Sequence, residues 1–115
     1  MANITAKLLI PVESGAGHVL WETLTQNDVG LAVRLGKWSD KTIQVIGTFN
    51  GALVVPEGSP DGSTWGALND PQGTTISITD NVPVLIAENP IFLRIAGVGG
   101  GGSTDIDVYL SFARK

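Results

Sequence analysis

The chain has 115 residues, seven Lys and Arg against eleven Asp and Glu, and no cysteine. That length fits one domain whose core needs no covalent staples, and the missing cysteines exclude a disulfide framework and thiolate metal sites. A net charge of −4 without a basic stripe argues against a nucleic-acid partner, and no apolar run reaches the ~20 residues of a membrane-spanning helix.

Residues 1–7 lack the charged and apolar regions of a signal peptide, so the protein is expected to stay in the compartment where it is made. The sequon at Asn3-Ile4-Thr5 is then coincidental. Abundant Val, Ile and Thr with fifteen glycines and six prolines fits short strands joined by tight turns.

In chain order, residues 4–10 read as a first strand ended by Pro11, with 1–10 as a whole an extended arm or edge strand. Residues 18–25 place Val19, Trp21 and Thr23 opposite Leu20, Glu22 and Leu24, and this pattern does not say which face is inward. Residues 29–35 put Val29, Leu31, Val33 and Leu35 on one side of a strand. Residues 41–49 repeat the period of two, and Asn50-Gly51 follows at once. Asn-Gly after such a run predicts a hairpin, so residues 52–57 are expected to pair antiparallel with 41–49.

The next stretch, Gly58 to Gly73, carries turn signals at Asp61-Gly62 and Asp70-Pro71-Gln72-Gly73, with Trp65 and Leu68 between them as anchors to bury. Further strands are expected at 74–79, 82–87 and 91–96, then a glycine-rich hairpin loop at 97–102. The last strand, 105–113, alternates cleanly, with Ile106, Val108, Leu110 and Phe112 on one face. Turn signals recur every ~8–12 residues with no helical period between them, which predicts an all-β chain: one antiparallel β-sandwich or jelly-roll-like domain over 1–115.

Candidate chemistry is sparse. Gly97, Gly99 and Gly102 satisfy G-x-G-x-x-G, but a strand rather than a helix is expected after them, which removes the helix N-terminus that would hold a pyrophosphate. His18 is the only histidine, and no G-x-S-x-G elbow presents a serine to it. Asp61 and Asp70 bracket the corner and Asp105 and Asp107 share a strand face, without the spacing of a calcium loop. These features give no catalytic residue, no cofactor and no metal ligand set, with calcium at a sandwich loop left as an alternative, and the expectation is that the chain is not an enzyme. Trp21, Trp38, Trp65 and Tyr109 offer rings for stacking on sugars. Trp38 lies in a polar turn and is the one expected at the surface, whereas Trp65 is expected in the core.

The pattern Gly58-Ser59-x-Asp61-Gly62-x-x-Trp65-x-x-Leu68-x-Asp70-x-x-Gly73, then Pro90-x-x-Leu93-Arg94 and a glycine loop before Asp105-Ile106-Asp107-Val108, resembles small tailed-bacteriophage virion proteins of the β-sandwich, capsid decoration (cement) type. The resemblance covers residues 41–112. It implies a non-catalytic protein of the capsid surface, a homotrimer whose partner is the major capsid protein, with no nucleic acid and no membrane involved. Under that resemblance Ala2, Asn3, Ile4, Thr5, Ala6 and Lys7 are the candidate capsid contact, an arm that adds a strand to a capsid edge. The corner also resembles β-sandwich carbohydrate-binding and fibronectin-like modules, which implies the alternative of a glycan- or receptor-binding head-fibre or tail component, with Trp38 as the stacking residue.

Overall fold

Apolar alternation with a period of two produces ten strands and no helix among the residues that the computed structural model describes, 3–4, 7–13, 16–35 and 39–113. One sheet has the order β1 (Asn3–Ile4), β4 (Val29–Arg34), β9 (Phe92–Gly99), β6 (Ala52–Ser59), β7 (Gly66–Ala67). The other has the order β2 (Lys7–Glu13), β3 (Ala16–Leu24), β10 (Asp105–Ala113), β5 (Ser39–Thr48), β8 (Val84–Ile86). Pairing is antiparallel except for β1 on β4. The two sheets close over one apolar cluster, as expected for an all-β sandwich, with Trp21, Ile43, Val45, Val54, Ile95 and Leu110 among its members.

Trp21 sets the phase of its neighbours. It is fully buried and its indole Nε1 donates to the Leu31 carbonyl at 3.0 Å. A Cβ on Gly30 would lie 2.8 Å from the Trp21 ring, so only glycine fits beneath it. With Gly30 inward, Val29 points outward. A bulge between Gly30 and Val33 then resets the alternation, which returns Val33 and Leu35 to the core and leaves Leu31 exposed. The expected single face of Val29, Leu31, Val33 and Leu35 is therefore split in two. A second irregularity, with Thr23 at φ 59, brings Leu24 inward beside Val19 and Trp21.

The Asn50-Gly51 turn forms with both residues at positive φ and Ala52 N donating to Phe49 O at 3.0 Å. Its flanks do not pair, contrary to the expected hairpin. β5 bonds to β10 and β8, whereas β6 bonds to β9 and β7, so the turn is an arch from one sheet to the other. The glycine-rich segment behaves the same way. β9 continues through Gly99, and the shorter connection crosses sheets into β10 instead of closing a hairpin. Within β9, position 97 takes glycine because a Cβ there would stand 2.5 Å from the Asp28 carbonyl, which accepts the Gly97 amide at 2.9 Å.

Three such arches, β3 to β4, β5 to β6 and β9 to β10, meet at one end and bond to one another. Asn27 N donates to Gly99 O at 3.1 Å, and its Oδ1 accepts Gly99 N at 2.7 Å. Thr104, 2% exposed, accepts Gly101 N at 2.9 Å and donates through Oγ1 to Phe49 O at 2.9 Å.

Two further expectations change. Pro11 does not end the first strand but lies inside β2, an edge strand with a register shift there, the place where a residue without an N–H is tolerated. Residues 74–79 form isolated bridges rather than a strand. Ile76 and Ile78 are nevertheless buried as the alternation requires, and Ile78 exchanges two hydrogen bonds with Val54.

Candidate interaction surface

The corner after β6 folds over the outside of the first sheet. Ser59, 1% exposed, opens it. Its Oγ accepts the amides of Asp61 and Gly62 and donates to Asp61 Oδ1 at 2.9 Å. Asp61 Oδ1 also accepts the amides of Ser63 and Thr64 at 2.8 and 2.9 Å. These donors, the Thr64 amide foremost, then the Ser63 amide and the Ser59 hydroxyl, favour the ionised carboxylate and lower its pKa to about 2. The carboxylate thus closes its own loop. Asp70 does likewise, accepting Gln72 N and Thr74 N. Neither is directed at a shared point, and the described residues hold no cluster of three or more His, Asp or Glu suited to a metal.

The loop sets Gly62 within 3.7–3.9 Å of the Phe92 ring were it to carry a Cβ, and sets Trp65 on Arg94. Leu68, 5% exposed, is the core anchor that the sequence predicts. Trp65 is not. It is half-buried on the exterior, its ring centroid 4.3 Å from the Arg94 guanidinium carbon, and Arg94 Nε donates to Glu57 Oε1 at 2.7 Å. Glu57 and Arg94 are register partners on β6 and β9, so the ion pair spans the outer face of the sheet.

Beyond this covered end the outer face is apolar. Leu53 pairs with Val98, and Val55 with Ala96, which also pairs with Val29. Val98 is 47% exposed and the others are half-buried. The second sheet presents a different exterior, in which Thr42, Gln44, Asp107, Tyr109 and Ser111 alternate with the core positions. Ile46 and Leu85, 47% and 55% exposed, stand among these polar residues, so the second exterior is mixed, whereas the first is apolar beyond its ion pair.

The remaining sequence candidates fall as follows. Asn3 and Ile4 form β1, and Ile4 packs against the core; Lys7 opens β2. Ala2, Thr5 and Ala6 lie outside the described residues, as does Trp38. His18 on β3 is the register partner of Ser111 on β10, whose hydroxyl donates to Thr42 O at 3.4 Å. Asp107 Oδ1 accepts the Thr23 amide at 2.9 Å, which secures the β3 irregularity. The apolar outer face itself is not singled out by the sequence. Its signal is the apolar residue on the nominally polar side of β6 and β9, Leu53, Val55 and Val98, which alternation counts as noise.

The fold and this surface define a two-sheet β-sandwich whose first sheet presents apolar residues on its outer face. No protein-family model matches the chain, and no curated protein matches it. Among solved structures it is similar to the SPBc2 prophage-derived protein YomS, at 12% identity and a TM-score of 0.65 over 89% of this chain and 97% of that one. At that identity the likeness establishes the fold. Looser likenesses, too distant to argue from, are to Peruvianin-I, a cysteine peptidase from Thevetia peruviana latex, and to CsCBM6-3 from Clostridium stercorarium in complex with cellobiose. The first has 11% identity and a TM-score of 0.49 over 87% of this chain and 51% of that one. The second has 15% identity and a TM-score of 0.40 over 96% and 82%.

Proposed function

We propose that this chain is a structural protein of a tailed-phage virion that decorates the outside of the capsid and bridges capsid subunits, as a homotrimer and without catalysis. The observation that carries the reading is the outer side of the first sheet, where Leu53, Val55 and Ala96, half-buried, and Val98, 47% exposed, stand in cross-strand pairs. A contiguous apolar patch on a sheet exterior is an adhesion surface, because burying it against a partner removes it from water. Three copies on one particle engage three sites together, so modest contacts multiply. The fold shared with a prophage-derived protein over nearly all of both chains agrees with this reading. The arm at residues 2–7 is a second contact, in which β1, already an edge of the first sheet, offers its free side to a capsid strand.

The test is co-sedimentation of the purified protein with empty expanded capsids of the phage that encodes it. Binding that is lost in Leu53→Lys or Val98→Lys supports the reading, and absence of binding by the unaltered protein ends it. Removal of residues 2–7 separates the arm from the face.

The glycan-binding alternative, for which the sequence offers Trp38, gains a second ring in Trp65, half-buried on the exterior with Arg94 over one face. Binding on a glycan array that disappears in Trp65→Ala would favour it over capsid adhesion.

A further inference from the structure

Lys41 is the one charged side chain on the inward register of β5, beside Ile43 and Val45, and it is 0% exposed. Its Nζ donates to the side-chain oxygen of Asn89 at 2.9 Å. Asn89 follows shortly after Ile86, the register partner of Lys41 on β8. Lys41 begins β5 in the second sheet, and Asn89 lies in the segment that leaves β8 and enters β9 of the first. This contact sits at the end of the sandwich opposite the three arches.

An asparagine carboxamide is open to attack by a neighbouring nitrogen, as in the cyclisation of Asn-Gly sequences, and a neutral amine is a stronger nucleophile than the backbone nitrogen that reacts there. The electrophilic Cγ of Asn89 lies one bond beyond the oxygen that Nζ already touches, so rotation of the side chain brings the amine over the carbonyl face. Holding two reacting groups in this way replaces a bimolecular encounter with an effectively unimolecular one. Burial disfavours the ammonium form and lowers the lysine pKa, against the opposing charge of Asp40. Asn89 is exposed, which gives the leaving group a path to solvent.

We propose that Lys41 and Asn89 join through an isopeptide bond, the lysine amine displacing ammonia from the asparagine carboxamide. The Nζ–Cγ bond forms and the Cγ–Nδ2 bond breaks. The proton given up by Nζ departs on Nδ2 as ammonia, and no oxidation state changes. The product fastens the start of β5 to the connection that carries the chain from β8 in the second sheet to β9 in the first.

Intact-mass measurement of the purified full chain, fresh and after prolonged incubation in mildly alkaline buffer, tests the bond. The expected result is a mass below the sequence value by one ammonia, with a branched peptide joining the segments that carry Lys41 and Asn89. Asn89→Ala and Lys41→Arg are expected to keep their full sequence mass. If neither variant folds, the unaltered protein decides the matter alone. An unchanged mass after incubation overturns the proposal. So does a loss of ammonia that maps to a cyclised Asn50-Gly51 without a branched peptide.

Discussion

Arg94 holds Trp65 outside the core, its guanidinium carbon 4.3 Å from the ring centroid while its Nε bonds Glu57 at 2.7 Å. The tryptophan therefore covers polar groups on a sheet exterior and contributes little to the apolar cluster. Trp21 does the opposite. It is fully buried, fills the space over Gly30 and uses its Nε1 on Leu31.

The two tryptophans are thus expected to differ sharply on truncation. Trp21→Ala opens a cavity and strands the Leu31 carbonyl, at a cost of roughly 3–5 kcal/mol. Trp65→Ala removes a cation–π contact worth about 0.5–1 kcal/mol at an exposed site, plus a modest apolar area. Urea unfolding midpoints separate the two. Equal losses would place Trp65 in the core after all.

How far the sequence carries follows from the same residues. β10 is legible because nothing interrupts its period of two, and Ile106, Val108, Leu110 and Phe112 are all buried. The strand at 29–35 looks equally regular, yet its phase is wrong for half its length. The cause is Trp21, a neighbour in space that demands a glycine and a carbonyl at fixed points. Asn50-Gly51 makes the turn that its chemistry dictates, but a turn fixes only its own four residues. Whether the flanks zip together or diverge is settled by what pairs with each strand elsewhere. Trp65 was misplaced because aromatic content speaks for burial in general, and its partners Arg94 and Glu57 come from two other strands. The apolar outer face is invisible for a similar reason, since register alone gathers Leu53, Val55, Ala96 and Val98.

The arches give a glycine test. Gly47 has φ +130, and a Cβ there would fall 2.3 Å from the Asp105 carbonyl and 3.0 Å from Ile106 Cα, both backbone atoms of the adjacent strand. Gly51 is also at positive φ, but nothing lies within 4 Å of its Cβ position. Gly51→Ala is expected to cost about 1 kcal/mol, the left-handed penalty alone. Gly47→Ala adds displacement of β10 and should exceed it by about 1–3 kcal/mol, in the range of overpacked cores. Thermal melts of the pair check the order, and the reverse order would mean that β5 and β10 have slack at this point.

Asp61 predicts a feature of acid unfolding. Its carboxyl is held near 2 in the folded chain against an ordinary value of 3.8, chiefly by the Thr64 and Ser63 amides. A lowered folded value means that the stabilisation is complete above the unfolded pKa and fades as pH falls from about 3.8 through about 2. Asp61→Asn should lose this part of the pH dependence, with the corner less ordered at neutral pH. Carbon NMR titration of the carboxyl gives the midpoint directly, and urea midpoints for both proteins across that window give the linkage. Identical acid profiles for the two would show that the loop amides do not depend on the charge.

The apolar outer face of the first sheet makes the last prediction. Val98 is 47% exposed and pairs with Leu53 on the outer side, away from the core that Val54 and Ile95 fill. A lysine at position 98 keeps its stem on the sheet and its ammonium in water, so stability should change by less than about 0.5 kcal/mol, as for surface substitutions in general. Against a partner the same ammonium must be desolvated inside an apolar contact. Binding should then fall by at least tenfold, about 1.4 kcal/mol, with the apolar area of Val98 lost from the contact as well. Val98→Lys is thus expected to separate adhesion from folding: unchanged unfolding midpoint, lost particle binding. Val54→Lys is the control, because it buries the charge in the core and should unfold the chain. If Val98→Lys binds particles as the unaltered protein does, the adhesive surface lies elsewhere and the edge at β1 becomes the one to alter next.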